Sequence, residues 1–287
     1  MFLQYRTVDI LDRRAVPWDE GITELDLQLV ASLGEVEIGF AHLDGNAVEI
    51  TARVQGTAGH FGERSPLDLN VTYCNDTSEG RLDVSAVLKT YAPWPYYTLD
   101  HVRYQVLIDT DLPTGLNISV TTGGATVRTA EGTTLTGLRL NATTLGAVVA
   151  LNNGTVLAGD VRIRTATGGS AFYWNNLTVV GDRRVQLEES SGKIVARVFQ
   201  GTPMGGAVTL VGEDQAGAIE LVLDIRRGIS AVVEGKSSVG TVALTNEGSF
   251  SGSENLLISA NYPTAMQFNV RLNNTVGGID AWCRWSD

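Results

Sequence analysis

A glycine returns at an almost constant interval along this chain. Gly123, Gly146, Gly169, Gly192, Gly217 and Gly240 are separated by 23, 23, 23, 25 and 23 residues. Self-similarity at such a period is the signature of stacked supersecondary units rather than of one globular core. Each unit opens with alternating apolar and polar residues, the period of a half-buried strand. Examples are Ile118/Val120, Leu138/Leu140, Val161/Ile163 and Val185/Leu187. The glycine then turns the corner, because it alone reaches positive φ without steric cost. A second strand follows, with expected inward positions Ala125, Val148, Ala171, Ile194, Ile219, Val242 and Met266. Two residues further on stand Val127, Ala150, Tyr173, Ala196, Leu221, Leu244 and Phe268. One unit cannot bury this face alone, so neighbours must stack and line up one equivalent side chain per unit. The last unit, LLISANYPTAMQFNVRLNNTVGGID, carries Pro263-Thr264 where the glycine is expected.

The fold class read from this pattern is all-β: a β-solenoid of about 23-residue repeats with an N-terminal β cap region. The alternative is a β-sandwich, whose turns every 8–12 residues give a similar spacing. Residues 1–20 form a lead-in, 21–112 an N-terminal β region or cap, and 113–287 the repeat solenoid. In ELDLQLVASLGEVEIGF the alternation of Leu25, Leu27 and Leu29 leads to Gly34, which takes the anchor role. The C-terminal AWCRWSD, with Trp282 and Trp285, is expected to plug the open end of the stack, since terminal units cap. Its alternative role is a contact surface.

Formal net charge is −11, and no block of Lys or Arg offsets it. That excludes phosphate-led nucleic-acid binding, which needs clustered cations. Arg183-Arg184 and Arg226-Arg227 are isolated pairs. No run of 18 apolar residues marks a membrane span. MFLQYRTVDILDRR has no apolar h-region and an acid at Asp9, so it is not read as a signal peptide. Export is nevertheless expected, because seven Asn-X-Ser/Thr sequons occur, at Asn70, Asn75, Asn117, Asn141, Asn153, Asn176 and Asn273. Such acceptors mark surface positions of secreted chains. Asn and Thr are also common turn residues, which supplies the same motif without a glycan. Asn141 and Asn176 fall in or beside strands and are the two least expected to be modified. Cys74 and Cys283 belong to different rungs and are expected to remain separate thiols.

Little in the chain points to chemistry. His42, His60 and His101 have no second histidine or cysteine at ligand spacing, so no zinc site, no other metal and no cofactor is expected. His60 sits beside Glu63 in GTAGHFGERS, where solvation is its ordinary state. A polysaccharide-cleaving β-helix would need paired carboxylates. Asp160, Asp182, Glu188 and Glu189 lie at the ends of successive repeats, and Asp160 and Asp182 could stack on adjoining rungs about 4.8 Å apart. The next equivalents are Ala207 and Ala231, so the row does not continue. The same carboxylates could take calcium, but the nonapeptide calcium repeat is absent. Thr clusters lack the regular T-x-T of an ice-binding face.

The run from Val106 to Val198 contains strand–corner–strand motifs, VTTGGATV, TATGGSAF and ESSGKIVA. It resembles adhesin domains of the DUF4097 type, and LVASLGEVEIGF resembles related cell-surface β-domains. The resemblance implies a surface-exposed, β-helix-like scaffold without catalytic residues to carry over. The expected function is a non-enzymatic extracellular structural or surface protein, expected to self-assemble into a filament or sheath through residues 2–10, FLQYRTVDI. The alternative is an adhesin-like module binding glycan or protein through Trp94, Tyr96 and Tyr97. A polysaccharide-active enzyme ranks last.

Overall fold

The computed structural model describes residues 6–59, 65–90, 97–226, 228–248 and 250–286. Strands β1 (Arg6–Pro17), β2 (Glu24–Leu33), β3 (Glu35–Ala41), β4 (Asn46–Ala58), β5 (Leu67–Asp76), β6 (Arg81–Thr90) and β7 (Tyr97–Asp109) make the first part. The repeats supply β8 (Thr114–Thr122), β9 (Ala125–Arg128), β10 (Thr134–Ala142), β11 (Ala147–Leu151), β12 (Val156–Leu157), β13 (Val161–Thr167), β14 (Ser170–Asn175) and β15 (Thr178–Val179). Then come β16 (Arg183–Gln200), β17 (Val208–Arg226), β18 (Ser230–Val239), β19 (Val242–Glu247), β20 (Phe250–Ser253), β21 (Leu256–Ser259), β22 (Gln267–Val276) and β23 (Ile279–Ser286). Among the described residues there is no helix.

Each rung crosses from one long parallel sheet to another. The first sheet runs β5-β6-β2-β8-β10-β13-β16-β17-β22-β18-β21-β20, and only its outermost strands β5, β21 and β20 are antiparallel. The second runs β1-β4-β7-β3-β9-β11-β14-β16-β17-β23-β19, with β1 and β4 antiparallel. Strands β16 and β17 pass through the corner unbroken and belong to both sheets. Buried ladders run the length of the stack. Leu27, Leu116, Leu138, Val161, Val185, Leu210 and Val270 form one, in register across neighbouring strands. This is the geometry in which each unit covers the apolar face of the next.

The corner glycines stack so tightly that a side chain has no room. A Cβ on Gly123 would lie 1.9 Å from Gly34 O, and one on Gly217 would lie 1.6 Å from Gly192 O. A Cβ on Gly277 would lie 1.7 Å from Gly217 O, and one on Gly240 would lie 2.0 Å from Gly277 O. Gly146 and Gly169 continue the column, a Cβ on the former meeting Gly169 O at 2.1 Å. The last rung therefore turns at Gly277, not at Pro263-Thr264. Its two strands are Gln267–Val276 and Ile279–Ser286.

The inward positions differ from the expected ones on the last rung, where Ile279 and Ala281 take the places read for Met266 and Phe268, and on two others. Ala147 and Val149, then Ser170, Phe172 and Trp174, are buried, whereas Val148 and Ala150 are half-buried and Tyr173 is exposed. At these corners two consecutive residues adopt positive φ, Leu145-Gly146 and Gly168-Gly169. The turn is completed sooner, the strand starts one residue earlier, and a one-residue slip exchanges the two faces.

Spatial order departs from chain order at both ends. Rung β2/β3 lies between β6/β7 and β8/β9. Rung β22/β23 lies between β17 and β18/β19. The C-terminal tryptophans consequently do not plug an end. They sit in an interior rung, with Trp285 Nε1 donating to Arg226 O at 3.2 Å. The ends are closed instead by antiparallel strands, β1, β4 and β5 at one and β20 and β21 at the other. Residues 6–10 of the lead-in pair with β4 of the same chain.

Candidate functional site

The outward residues of the first sheet leave one long depression of about 890 Å³. Its form follows from the register. Cys74, Asp83, Asp26, Gly115 and Gly137 succeed one another on five adjacent strands, and Asp160 stands where the sixth begins. Two of these positions are glycine, so the floor there is bare backbone between carboxylate walls. A second row, Ser85, Gln28, Asn117 and Arg139, borders it. The trench thus crosses several rungs, at about 4.8 Å per strand.

Its charges are partly committed. Arg81 holds Asp26 at 2.6 Å and Asp83 at 2.9 Å. Burial nevertheless pushes the Asp26 carboxyl above its usual range, with Arg81 acting against the rise. Asp26 leans over Gly115, where a Cβ would meet its Oδ1 at 2.2 Å. Arg139 makes no ion pair among the described residues. Gly137 is different from Gly115: a Cβ there would touch nothing nearer than Asp160 O at 4.0 Å. The trench can present hydrogen-bond donors and acceptors of both signs to something long and polar.

The carboxylates expected at repeat ends have other employment. Asp160 Oδ1 accepts from Arg184 N at 2.9 Å, and Asp182 Oδ1 accepts from Ala207 N at 2.9 Å. Each satisfies a backbone amide near the start of the following rung. Glu188 faces outward and pairs with Arg162 at 2.7 Å. Glu189 faces inward, in a buried polar column with Thr165, Asp214 and Asn274. Thr165 Oγ1 and Ser191 N donate to it. Burial, with Asp214 adding to it, still raises its carboxyl to about 7.

Of the three aromatics expected to make contacts, only Tyr97 lies among the described residues. Tyr97 is buried against Val8 and Ala58, and Trp94 and Tyr96 lie outside the described residues, as does His60. Of the sequon asparagines, Asn70, Asn117, Asn141, Asn153 and Asn273 are exposed, while Asn75 and Asn176 are half-buried. Asn141 is thus an outward strand position, more open than its place in the sequence suggests. Asn176 is engaged, its Oδ1 accepting from Gly201 N at 2.6 Å. Asn75 Nδ2 donates to Asp19 at 2.8 Å. Both cysteines are free: Cys74 is exposed in the trench, and burial pushes the Cys283 thiol up to about 12.

One cluster had no signal in the sequence. His42 follows β3, Asp109 ends β7 and Asp111 lies two residues beyond. Their nearest ligand atoms fall within 4.8 Å of one another. The pairing of β3 with β7 makes this happen, by setting Ala41 beside Asp109.

No protein-family model matches the chain, and no curated protein matches it. Among solved structures, a candidate cell adhesion protein from Clostridium sporogenes is similar at 10% identity and TM-score 0.44, over 97% of this chain and 100% of that one. A candidate adhesin from Bacteroides fragilis is similar at 9% identity and TM-score 0.38, over 97% of each chain. Another from Parabacteroides merdae is similar at 11% identity and TM-score 0.27, over 93% of this chain and 95% of that one. No helix among the described residues is long and apolar enough to cross a membrane.

Proposed function

We propose that this protein is a non-enzymatic, adhesin-like surface module that holds an extended, polar polymer of the glycan type along the trench. The observation that carries the reading is the bare floor at Gly115 and Gly137, walled by Asp26 and Asp160 and bordered by Gln28, Asn117 and the unpaired Arg139. Planar amide, carboxylate and guanidinium groups in rows suit hydroxyl-rich repeats better than an apolar ligand. Asp160 and Asp182 serve as backbone acceptors, which favours binding over catalysis by that pair. The exposed sequons support an extracellular location. Asn117 lines the trench, so a glycan attached there would compete with the ligand, and the test calls for unglycosylated protein.

Replacing Gly137 by Tyr fills the trench without touching the core, because open space lies above that position. On a glycan array, the wild-type protein should retain particular polysaccharides and Gly137→Tyr should lose them at unchanged Tm. Retention by the variant, or no retention by either protein, would overturn the reading.

The second reading is a self-assembling subunit. It is favoured by the outer edge of β1, which has no partner strand among the described residues. Charged residues along that strand, Arg6, Asp9, Asp12, Arg13 and Arg14, work against it, since charge on an edge discourages strand addition.

A further inference from the structure

We infer that His42, Asp109 and Asp111 form a three-ligand site for a divalent transition-metal ion of the zinc class. His42 Nδ1 lies 3.3 Å from Asp111 Oδ2 and 3.9 Å from Asp109 Oδ2. Charge-assisted N–H···O⁻ bonds are shorter, about 2.7–2.9 Å. The separations match something else. Nitrogen and oxygen ligands stand about 2.0–2.2 Å from zinc, so neighbouring corners of a tetrahedron are roughly 3.3–3.6 Å apart. Of the three edges, His42–Asp111 has that length, His42–Asp109 needs a few tenths of an ångström of closure, and Asp109–Asp111, within 4.8 Å, closes by adjustment of the exposed Asp111.

The site is organised before any ion arrives. Asp109 is buried, its Oδ2 accepting from Leu43 N at 2.6 Å and its Oδ1 from Asp111 N at 2.7 Å. Those two amides hold its carboxylate in place and leave further lone pairs, since each carboxylate oxygen has two. His42 and Asp111 are exposed, at 67% and 61% for their side chains, so they can adjust and an ion can enter from solvent. Asp44, 3.7 Å from His42 Nε2, adds negative charge nearby. Three protein ligands leave a fourth position for water, as in open zinc sites.

Full-length protein, freed of metal with a chelator, would be titrated with Zn²⁺ by calorimetry and with Co²⁺ by visible absorption. One equivalent should bind, with tetrahedral cobalt bands and a higher Tm at saturating Zn²⁺. His42→Ala should remove the bands and cost more than the roughly 10–100-fold that changes around a metal's ligands cost. Asp111→Asn should weaken binding with the same direction. Asp109 is left intact in these variants because its carboxylate also satisfies two backbone amides. Equal metal-free Tm for wild type and His42→Ala shows that folding is preserved. Absence of sub-millimolar binding, or cobalt bands unchanged in His42→Ala, would overturn the assignment.

Discussion

At the scale of single residues, the corner column is where this fold is least forgiving. Gly217 has a backbone oxygen, Gly192 O, 1.6 Å from where a Cβ would stand, so neither neighbour can yield without moving a rung. Gly132, unlike Gly217, has positive φ, +86°, but nothing lies within 4 Å of its would-be Cβ. Alanine at Gly132 should therefore cost only the left-handed backbone penalty, about 1–2 kcal/mol. Alanine at Gly217 should cost more, about 4 kcal/mol or beyond, by the strain route that produces the largest single-site losses. Urea denaturation of the two variants measures the difference, and equal losses would contradict the stacking account. The column was legible in the sequence because only glycine fits it. The rungs at Gly146 and Gly169 were misread because Leu145 and Gly168 also turn left-handed, and a leucine gives no warning of that. Gly277-Gly278 did echo Gly123-Gly124, but the chain order pointed elsewhere.

At the scale of elements, the inward column on β13, β16, β17 and β22 is polar where the rest of that face is apolar. Thr165, Glu189, Asp214 and Asn274 are all buried, and Asp214 Oδ2 has no hydrogen-bond partner among the described residues. Burial raises both carboxyls, Glu189 to about 7 from an ordinary 4.5. A folded-state value above the unfolded one means that the folded protein binds the proton more tightly. This contribution to stability is complete below about pH 4.5 and is lost as pH rises to about 7. Between pH 5 and pH 8 the wild type should lose on the order of 1–3 kcal/mol through this group. Glu189→Gln is neutral throughout and should lack that component, so the wild-type-minus-variant difference isolates it from carboxylates shifted the other way, such as Asp9. Matching pH profiles for the two proteins would show that Glu189 is not buried as a neutral acid. In the sequence, Glu188-Glu189 read as a pair at a repeat end. Strand alternation separates them, one to Arg162 outside and the other to the interior, and only the register shows which is which.

At the scale of the molecule, the two ends are built by interleaving. The 23-residue recurrence made the stacked middle legible, because each unit there contacts the one before and after it. It gave no sign that β22/β23 returns to lie against β17, or that β6/β7 packs outside β2/β3, since both depend on pairings between segments far apart in the chain. The trench and the His42 cluster share that origin: Asp26 meets Gly115, and His42 meets Asp109, only after those crossings. Interleaving also makes the two termini unequal. β1 is outermost and, among the described residues, pairs with β4 alone. β22 and β23 separate β17 from β18 and β19, bonding to strands on both sides. Removing residues 1–17 should leave a soluble particle with a modestly lower Tm. Removing residues 260–287 should expose the long edge of β17 opposite β16 and detach the rungs beyond it, producing aggregation through unpaired backbone and rapid proteolysis of the segment after Arg226. Size-exclusion chromatography with limited proteolysis distinguishes the two truncations, and electron microscopy of the first asks whether any fibres seen with the whole protein survive without β1. Fibres lost on that deletion would support the assembly reading through the β1 edge. A C-terminal truncation as soluble and protease-resistant as the N-terminal one would mean that the last rung is an addition to the stack and not a keystone within it.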